Sequence, residues 1–105
     1  MDKVLNNLGI AYRASKVLLG EKLLAQMALV KLVFVASDAS AKTQERLAKK
    51  CYYYKLPCIK TYSSQEISAA IGKNNVMILG ITDTGLATSI LKEIERRSVN
   101  GETSA

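Results

Sequence analysis

The chain has 105 residues, of which 49% are hydrophobic and 23% are charged, so it is long enough for one compact domain and too short for two. A domain of this size buries roughly two-thirds of the surface that its unfolded chain exposes, which is enough to fold without disulfides or a structural metal. No stretch reaches the roughly 18 uncharged apolar residues that a membrane span needs, and the amino terminus lacks a secretory signal. We therefore expect a cytoplasmic protein with no membrane partner.

The residue types that carry most catalysis and metal binding are scarce. The chain has two cysteines, Cys51 and Cys58, and no histidine, so tetrahedral zinc would need two thiolates and carboxylates. The missing histidine removes the commonest general base, which argues against hydrolytic catalysis. We expect no cofactor, no metal and no enzymatic activity, and we expect both cysteines to be small buried hydrophobes in a reducing compartment.

The positive charge is concentrated in the first three-quarters of the chain. Lys and Arg number 15 against 9 Asp and Glu, a formal net charge of +6, and residues 1–80 carry all of the excess. A positive potential favours polyanions such as nucleic acid or anionic lipid. Lysines solvated on helix faces explain the same composition equally well.

The first part of the chain predicts two helices and a strand. Asp2 is placed to cap a first helix that ends before Gly20. A second helix follows and stops against the apolar run Lys31–Ala36, whose lack of alternation is typical of a strand buried on both faces. The residues whose three-to-four spacing marks the apolar faces of the helices are Val4, Leu5, Leu8 and Tyr12, then Leu23, Leu24, Met27 and Ala28.

The middle of the chain predicts a helix from Ala41 to Tyr54, followed by a strand over Cys58–Tyr62. Three consecutive tyrosines, residues 52–54, close the helix. Because consecutive helix positions point about 100° apart, these rings cannot form one stacking platform for bases, and we expect one or two of them to pack in the core.

The last part of the chain predicts a short helix, a strand and a final helix. Ser63 and Glu66 have the spacing of a capping box, and Gly72 stands where a left-handed helix end is expected. The apolar run Val76–Ile81 predicts a third strand, and Asp83 lies in the turn before a helix that carries Leu86, Ile90, Leu91 and Ile94. Residues 98–105 lack apolar periodicity and predict a flexible tail, which leaves residues 1–97 as a single domain.

This order of strands and helices predicts an α/β fold with right-handed crossovers, helices on both faces and a largely parallel sheet. Ligands of such sheets gather beyond the carboxyl ends of the strands, here residues 37–40, 62–64 and 82–85. Asp38 and Asp83 in these turns could serve as phosphoacceptors or magnesium ligands, but both also stand where a helix needs a cap, and we favour capping.

The two common nucleotide-phosphate motifs, G-x-G-x-x-G and G-x-x-x-x-G-K-[ST], do not occur in the sequence. Two loops that begin with glycine are the more informative candidates for a binding site. Residues 20–22 (Gly-Glu-Lys) precede a helix, so backbone N–H groups, the helix dipole and Lys22 present a positive terminus. Residues 72–75 (Gly-Lys-Asn-Asn) join a helix to a strand, and their two side-chain amides can bond base edges or sugar hydroxyls. A helix cap and a polar turn are the structural alternatives.

An ordered set of short motifs carries a resemblance that covers roughly residues 5–95. These motifs are Leu8–Ala14 with Lys16, Gly20–Lys22, Lys31–Val33 with Val35, Ala36 and Asp38–Ser40, Ile71–Lys73, and Thr82, Asp83 and Gly85. Together they resemble the YlxQ-type bacterial proteins, within the superfamily of the ribosomal proteins "L-seven-Ae" and "L-thirty-e". The resemblance implies a three-layer α/β/α sandwich with a mixed, largely parallel four-stranded sheet.

The resemblance also implies a protein that binds kink-turn or kink-turn-like RNA, and we expect ribosomal RNA as the partner of a ribosomal or ribosome-associated protein. We expect the protein to be a monomer. A protein–protein interaction module without specific RNA binding is the alternative. In the family, RNA meets the start of the second helix, the turn after the first central strand and the loop before the last strand. The corresponding residues here are Gly20, Glu21, Lys22, Asp38, Ala39, Ser40, Gly72, Lys73, Asn74 and Asn75.

Three further residues complete the predicted interface. Archaeal members of the family have the signature N-E-x-x-K after the glycine, and the position of its lysine is occupied by Gln26 in this chain. Lys22 instead matches the G-x-K variant of other relatives. Arg13 and Lys16, with Lys22 and Lys73, are expected to neutralise four phosphates, which predicts a slope of roughly −3 to −4 for log affinity against log salt. The whole interpretation requires Lys22 and Lys73 to lie on one surface.

Overall fold

The computed structural model describes the backbone of residues 2–104 and the side chains of residues 2–97. The backbone of residues 98–104 continues the last helix, and the predicted flexibility of the tail over residues 98–105 stays a prediction. In chain order the elements are α1 (Lys3–Arg13), β1 (Val17–Leu19), α2 (Gly20–Ala25), a short 3-10 helix (Met27–Leu29), β2 (Leu32–Val35), α3 (Ala41–Tyr54), β3 (Cys58–Ile59), α4 (Ser64–Ile71), β4 (Ile78–Ile81) and α5 (Thr84–Ser104). Among the described residues, the helices lack the combination of length and apolar character that crossing a membrane requires.

The four strands form one mixed sheet in the order β1-β4-β2-β3. β2 and β3 are parallel, while β4 lies between β1 and β2 and runs antiparallel to both. The predicted α/β class and mixed four-stranded sheet are therefore confirmed, but the expectation of largely parallel pairing is wrong. The three-layer arrangement of the family stays a prediction.

The error in strand direction has a physical cause. β2 and β4 are buried along their whole length, which is why their sequences show no alternation of apolar and polar residues. Burial on both faces is common in parallel sheets, but any central strand covered on both sides has the same apolar pattern. The pattern therefore reports how a strand is covered and carries no information on its direction.

The core is built around the two central strands. Phe34, Leu79 and Ile81 are fully buried between helices, and α1 contributes Leu8 while α5 contributes Ile90. Each fully buried side chain of this size stabilises the fold by roughly 1.5–3 kcal/mol relative to exposure. The apolar periodicity assigned to α1 and α5 therefore identifies residues that face the core, with Tyr12 at the margin of that core.

Several element ends differ from the sequence prediction. The first helix ends at Arg13, where Ser15 turns the chain with a φ of 60°, and the next residues form β1, a strand too short to show any periodicity. The third helix matches its prediction, ending at Tyr54. The strands after it are shorter than predicted, at Cys58–Ile59 and Ile78–Ile81.

The tyrosine run is also placed differently from the prediction. Tyr52 and Tyr53 are 88% and 77% exposed, and Tyr54 is 40% exposed, so none of the three enters the core. They lie at the end of α3, beyond the turn in which Leu47 and Cys51 provide the buried contacts. The prediction for the cysteines is confirmed for Cys51, whereas Cys58 is half-buried.

Side chains cap four of the helices. Asp2 accepts a hydrogen bond of 2.8 Å from the amide of Val4 at the start of α1, and Ser40 accepts one of 3.1 Å from an amide of α3. The predicted capping box opens α4, with both of its hydrogen bonds present. Asp83 accepts a bond of 2.9 Å from the Leu86 amide and so caps α5, as predicted.

A cluster of three side chains ties the two ends of the described domain together. The Arg97 guanidinium donates hydrogen bonds of 3.0 Å to each Asp2 carboxylate oxygen and one of 2.9 Å to the Tyr62 hydroxyl. Burial opposes ionisation of Asp2, but the hydrogen bonds from Arg97, the helix amides and Tyr62 together lower its pKa below the ordinary value. This cluster fastens α5 to the start of α1.

Candidate nucleic-acid interface

Three predicted site segments lie at one end of the sheet. Because β1, β2 and β3 run in the same direction and β4 runs back, the strands β1, β2 and β3 finish at the end where β4 begins. This end carries the Gly20 turn, the turn of residues 36–40 and the loop of residues 72–77. Two backbone bonds of 2.8 Å, from Ala36 to Met77 and from Ser37 to Tyr62, hold neighbouring connections together. We refer to this surface as the loop end.

The turn of residues 82–85 lies at the opposite end of the sheet. It follows β4, whose final residue Ile81 pairs with Val17 at the start of β1. The expectation that this turn joins the other two beyond the carboxyl ends of parallel strands is therefore wrong, because it assumed that β4 was parallel to its neighbours.

The two glycine-led loops meet in space. Lys22 and Lys73, which are far apart in the sequence, line one cleft of about 420 Å³ together with Tyr12 and Leu19. The Lys73 ammonium lies 5.8 Å from the centre of the Tyr12 ring, within the range of a cation–π contact. The requirement that both lysines lie on one surface is met.

The cleft with Lys22 is one part of a longer surface. Lys73, Asn74 and Asn75 also line a cleft of about 390 Å³ with Gly20, and a third of about 280 Å³ with Ser64. Lys73 therefore lines all three clefts. The surface extends from the start of α2, across the loop of residues 72–77, to the start of α4.

The start of α2 differs from the start of the other helices. Leu19, the residue before this helix, has no side chain that can accept from the first-turn amides, and no side-chain cap bond is formed there within the described residues. Gly20 has a φ of 53°, a conformation that a residue with a side chain rarely adopts. Since α2 has only six residues, its dipole is small, and the attraction for an anion must come mainly from these amides and Lys22.

The loop before β4 is held from the inside. Gly72 ends α4 in the left-handed conformation, as predicted, with a φ of 71°. The buried Ser68 hydroxyl accepts a bond of 2.9 Å from the Val76 amide, and the Ser68 carbonyl accepts one of 2.9 Å from the Lys73 amide. This anchoring leaves the side chains of Asn74 and Asn75 exposed at the surface.

Asp38 caps a helix, but not the helix that follows it in the sequence. Its carboxylate accepts bonds of 2.7 Å from the Ser64 amide and 2.6 Å from the Ser64 hydroxyl, at the first turn of α4. The bond from the hydroxyl, followed by that from the amide, lowers the pKa of Asp38 below its ordinary value. Asp38 thus joins the turn after β2 to the third cleft.

The other two residues of this turn serve the protein itself. Ala39 is buried, its amide bonds the carbonyl of Ala36, and its carbonyl accepts a bond of 2.9 Å from the Gln44 side chain. The Ser40 hydroxyl caps α3 through Thr43. In this structure both residues shape the turn, and only Ser40 is exposed at the surface.

Seven predicted residues do not line the clefts: Gly72, Asp38, Ala39 and Ser40, described above, and Gln26, Arg13 and Lys16. Gln26 is exposed after the end of α2, at the opposite end of that helix from Gly20. Arg13 and Lys16 are exposed between α1 and β1, and the carbonyl of Lys16 accepts a bond from Thr82 at the other end of the sheet. Their role in binding stays a prediction.

The sequence reasoning missed two residues that the structure adds to the surface. Tyr12 has the spacing of a core residue of α1 but is half-exposed beside Lys22 and Lys73. The sequence pattern places Ser64 only in a turn after a strand, yet Ser64 both binds Asp38 and lines the third cleft. A helical pattern does not reveal Tyr12, because the ring lies on the apolar side of α1 just where that helix ends.

The chain is similar to two proteins named RNA-binding protein YlxQ. The protein from Enterococcus faecium is 38% identical over 97 residues, which cover 90% of this chain and 93% of that protein. The protein from Bacillus subtilis (strain 168) is 36% identical over 91 residues, which cover 84% of this chain and 91% of that protein. No family model matches the chain.

Two solved structures have a similar fold. A protein of unknown function from Bacillus halodurans C superposes with a TM-score of 0.84 at 32% identity, covering 90% of this chain and 99% of that chain. The Giardia lamblia 15.5kD RNA binding protein superposes with a TM-score of 0.66 at 17% identity, covering 91% of each chain. The second likeness concerns the fold alone.

Proposed function

Because the chain belongs to the YlxQ family, we propose that it is an RNA-binding protein that recognises kink-turn-like structured RNA, namely ribosomal RNA, through the loop end. It acts as a monomer in the cytoplasm, associated with the ribosome, and it catalyses no reaction. The observation that carries this proposal is the meeting of Lys22 and Lys73 in one cleft. Those residues come from two loops that are separate in sequence and that each begin with a glycine in the left-handed conformation.

The loop end offers donors and charge to a bent RNA backbone. The amides at the start of α2 can donate to a phosphate, while Lys22 and Lys73 neutralise phosphates on either side of their shared cleft. Such contacts position the RNA and depend on its shape, because they do not distinguish one base from another.

Polar side chains supply contacts to bases and sugars. Asn74 and Asn75 each present two donors and one acceptor oxygen beside Lys73, which suits base edges and 2′-hydroxyl groups in a widened groove. The Glu21 carboxylate, exposed in the Lys22 cleft, can accept from a base amino group. Asp38 contributes by fixing the start of α4 rather than by meeting RNA, since Ser64 occupies both of its oxygens.

The hydrogen bonds between Asp38 and Ser64 also support the proposal that the protein is not an enzyme. Asp38 is the candidate phosphoacceptor or magnesium ligand at the end of β2, and both of its oxygens accept bonds from Ser64. Within the part of the chain that the structure describes, no three histidine, cysteine, aspartate or glutamate residues cluster as metal ligands. Failure of the wild-type protein to gain a stable phosphoryl group from small phosphodonors is the corresponding biochemical expectation.

The proposal is tested by measuring the affinity for a kink-turn duplex and for a plain duplex of equal length, by fluorescence anisotropy at one salt concentration. We expect the kink-turn to bind at least about tenfold more tightly, a difference of about 1.4 kcal/mol. Lys22→Ala and Lys73→Ala should each weaken kink-turn binding by about 1 kcal/mol, or about fivefold, without changing the melting temperature. Lys92→Ala, at an exposed position of α5 outside the three clefts, is the matched control and should bind like the wild type.

Two outcomes contradict the proposal. Equal, weak binding to both duplexes would favour a protein–protein interaction module in which the positive charge serves only solubility. Equal losses in Lys22→Ala, Lys73→Ala and Lys92→Ala would show that binding follows the net charge of the protein and not the geometry of the loop end.

A further inference from the structure

A fourth cleft lies at the edge of the sheet that β3 forms. Its volume is about 1080 Å³, and its lining includes the apolar residues Ala48, Leu56 and the two cysteines, which we call its floor, together with Tyr52. We refer to it as the β3 cleft. In a sheet with the order β1-β4-β2-β3, this edge is the one farthest from β1 and from the Gly20 turn that follows it.

Two tyrosines that line the β3 cleft are largely exposed. Tyr52 is 88% exposed and Tyr53 is 77% exposed, and both line the cleft, whereas Tyr62 is buried. Tyrosine is enriched in protein–protein interfaces because its ring is apolar and its hydroxyl can form a hydrogen bond. Two exposed tyrosines beside an apolar cleft are therefore a candidate contact surface.

The charged residues that line the β3 cleft are all positive. Lys49, Lys55 and Lys60 belong to the lining and no lining residue is acidic, although the Lys49 ammonium also lies 3.3 Å from the carboxylate of Glu45 on the same helix. A complementary partner therefore carries carboxylates. A second copy of this chain fits poorly, because two-fold pairing along β3 would bring these lysines close to their own symmetry mates.

The backbone at this edge favours an extended segment. β3 pairs with β2 on one side only, so the other side of the strand has no sheet neighbour within the described residues. An extended peptide can add to such an edge by backbone hydrogen bonds while its alternate side chains enter pockets. The apolar floor beside Cys58 and Leu56 is suited to the apolar half of those side chains.

The ring geometry favours a protein segment over a nucleic acid strand. Tyr53 and Tyr54 meet edge to face, with ring centres 4.9 Å apart and planes at 79°, so they do not present parallel faces to successive bases. Tyr52 precedes them on the helix and points about 100° away from Tyr53. Single-stranded nucleic acid gains most from a row of parallel stacking faces, which this arrangement lacks.

From these observations we propose that the β3 cleft docks an extended, acidic segment of another protein, with apolar side chains over the floor of the cleft and carboxylates beside Lys49, Lys55 and Lys60. The segment binds independently of RNA, because two strands separate β3 from β1. RNA and the acidic segment can then occupy one molecule of this protein together.

The test uses a fluorescent eight-residue peptide in which glutamate alternates with valine or leucine. The comparison probes are the same peptide with lysine in place of glutamate, and octauridine. We expect saturable binding of the glutamate peptide below about 1 mM, at least about tenfold tighter than either comparison probe. Kink-turn RNA at saturation should change the peptide affinity by less than about twofold if the two surfaces are independent.

Variants locate the binding. Tyr52→Ala and Lys60→Glu should each weaken the glutamate peptide by about tenfold, with melting temperatures near that of the wild type because both side chains are exposed. Lys92→Glu makes the same charge change as Lys60→Glu outside the cleft and should leave the affinity within about twofold.

Alkylation of Cys58 gives a second readout inside the cleft. The neighbouring Cys51 thiol, opposed by partial burial and assisted by the charge of Lys60, lowers the pKa of the Cys58 thiol below its ordinary value. Iodoacetamide should therefore modify Cys58 ahead of the buried Cys51, and saturating glutamate peptide should slow that reaction at least about fivefold.

Four results would overturn the proposal. The first is the absence of saturable peptide binding below about 1 mM, and the second is tighter binding of octauridine than of the glutamate peptide. The third is an equal loss of peptide affinity in Lys60→Glu and Lys92→Glu, and the fourth is alkylation of Cys58 at the same rate with and without bound peptide. The second result would identify the β3 cleft as a nucleic-acid surface. None of these measurements depends on whether the loop end binds a kink-turn.

Discussion

Substitution of Gly72 tests the geometry of the loop end directly. Gly72 has a φ of 71° and a ψ of 32°, and a Cβ atom built on it would meet no atom within 4 Å. A side chain at this position is therefore disfavoured only by the left-handed backbone, at about 1–2 kcal/mol for an ordinary residue. We expect Gly72→Ala to lower the free energy of unfolding by about 1 kcal/mol, and Gly72→Val to lower it further because a β-branched residue resists positive φ.

These free energies convert to melting temperatures that circular dichroism can resolve. A loss of 1 kcal/mol shifts the midpoint of a domain of this size by about 4–8 °C. Gly72→Asn is the matched control, because asparagine tolerates the left-handed region better than alanine or valine. The expected order of melting temperature is the wild type, then the Asn variant, then the Ala variant and finally the Val variant.

Substitution of Gly72 should also change the affinity for RNA, because Gly72 sets the position of Lys73. Gly72→Val should weaken kink-turn binding as well as stability, whereas Lys73→Ala should weaken binding alone. If Gly72→Ala melts within about 1 °C of the wild type, or if the Asn variant is as unstable as the Val variant, the assignment of left-handed strain is refuted. A Val variant that folds and binds normally would show that the loop has been misinterpreted.

Three further outcomes follow from the described contacts. Asp38→Asn should lower the melting temperature through loss of charge-assisted bonds at Ser64, without any chemical effect, as thermal unfolding and phosphoryl-transfer assays would show. The pKa of Asp2 is lower in the folded state than its unfolded value of about 3.8, so Asp2 stabilises the fold above that pH and this stabilisation is lost as the pH falls through the folded pKa. Because Arg97→Gln removes the partner of Asp2, the melting temperature of this variant should fall less steeply than that of the wild type below about pH 4. Phosphate contacts by Lys22 and Lys73 alone predict a slope of about −1.4 to −1.8 for log affinity against log salt concentration. A slope of about −3 to −4 would indicate that Arg13 and Lys16 also contact phosphates, and a slope near zero would contradict the electrostatic account.

Local chemistry made much of the fold predictable. The capping box of Ser63 and Glu66 and the left-handed Gly72 bound α4 correctly, because each depends on residues within one helical turn of the helix end. The cap at Asp83 is predictable for the same reason. Where a contact crosses between elements, as from Asp38 to Ser64, the sequence identifies the capping chemistry but assigns it to the wrong helix.

The candidate site was predictable in part. The two glycine-led loops were identified from their own residues, but nothing local to either loop brings Lys22 beside Lys73; only the resemblance implied that they meet. Tyr12 escaped notice because helical spacing cannot distinguish a core residue from one at the margin of the core. The exposure of all three tyrosines of residues 52–54 differs from the expectation that one or two pack in the core, because the burial of tyrosine is intermediate and its sequence position does not decide it.

The direction of β4 decides whether the loop end exists. A strand of four residues spans about 13 Å. If β4 ran parallel to β2, the loop of residues 72–77 would enter the sheet at the end where β1 begins, and Lys73 would lie about that distance from the start of α2. Because β4 runs antiparallel, the loop instead enters where β1 ends, and Lys73 shares a cleft with Lys22. The feature of the fold that pattern analysis assigned wrongly is thus the one that assembles the surface.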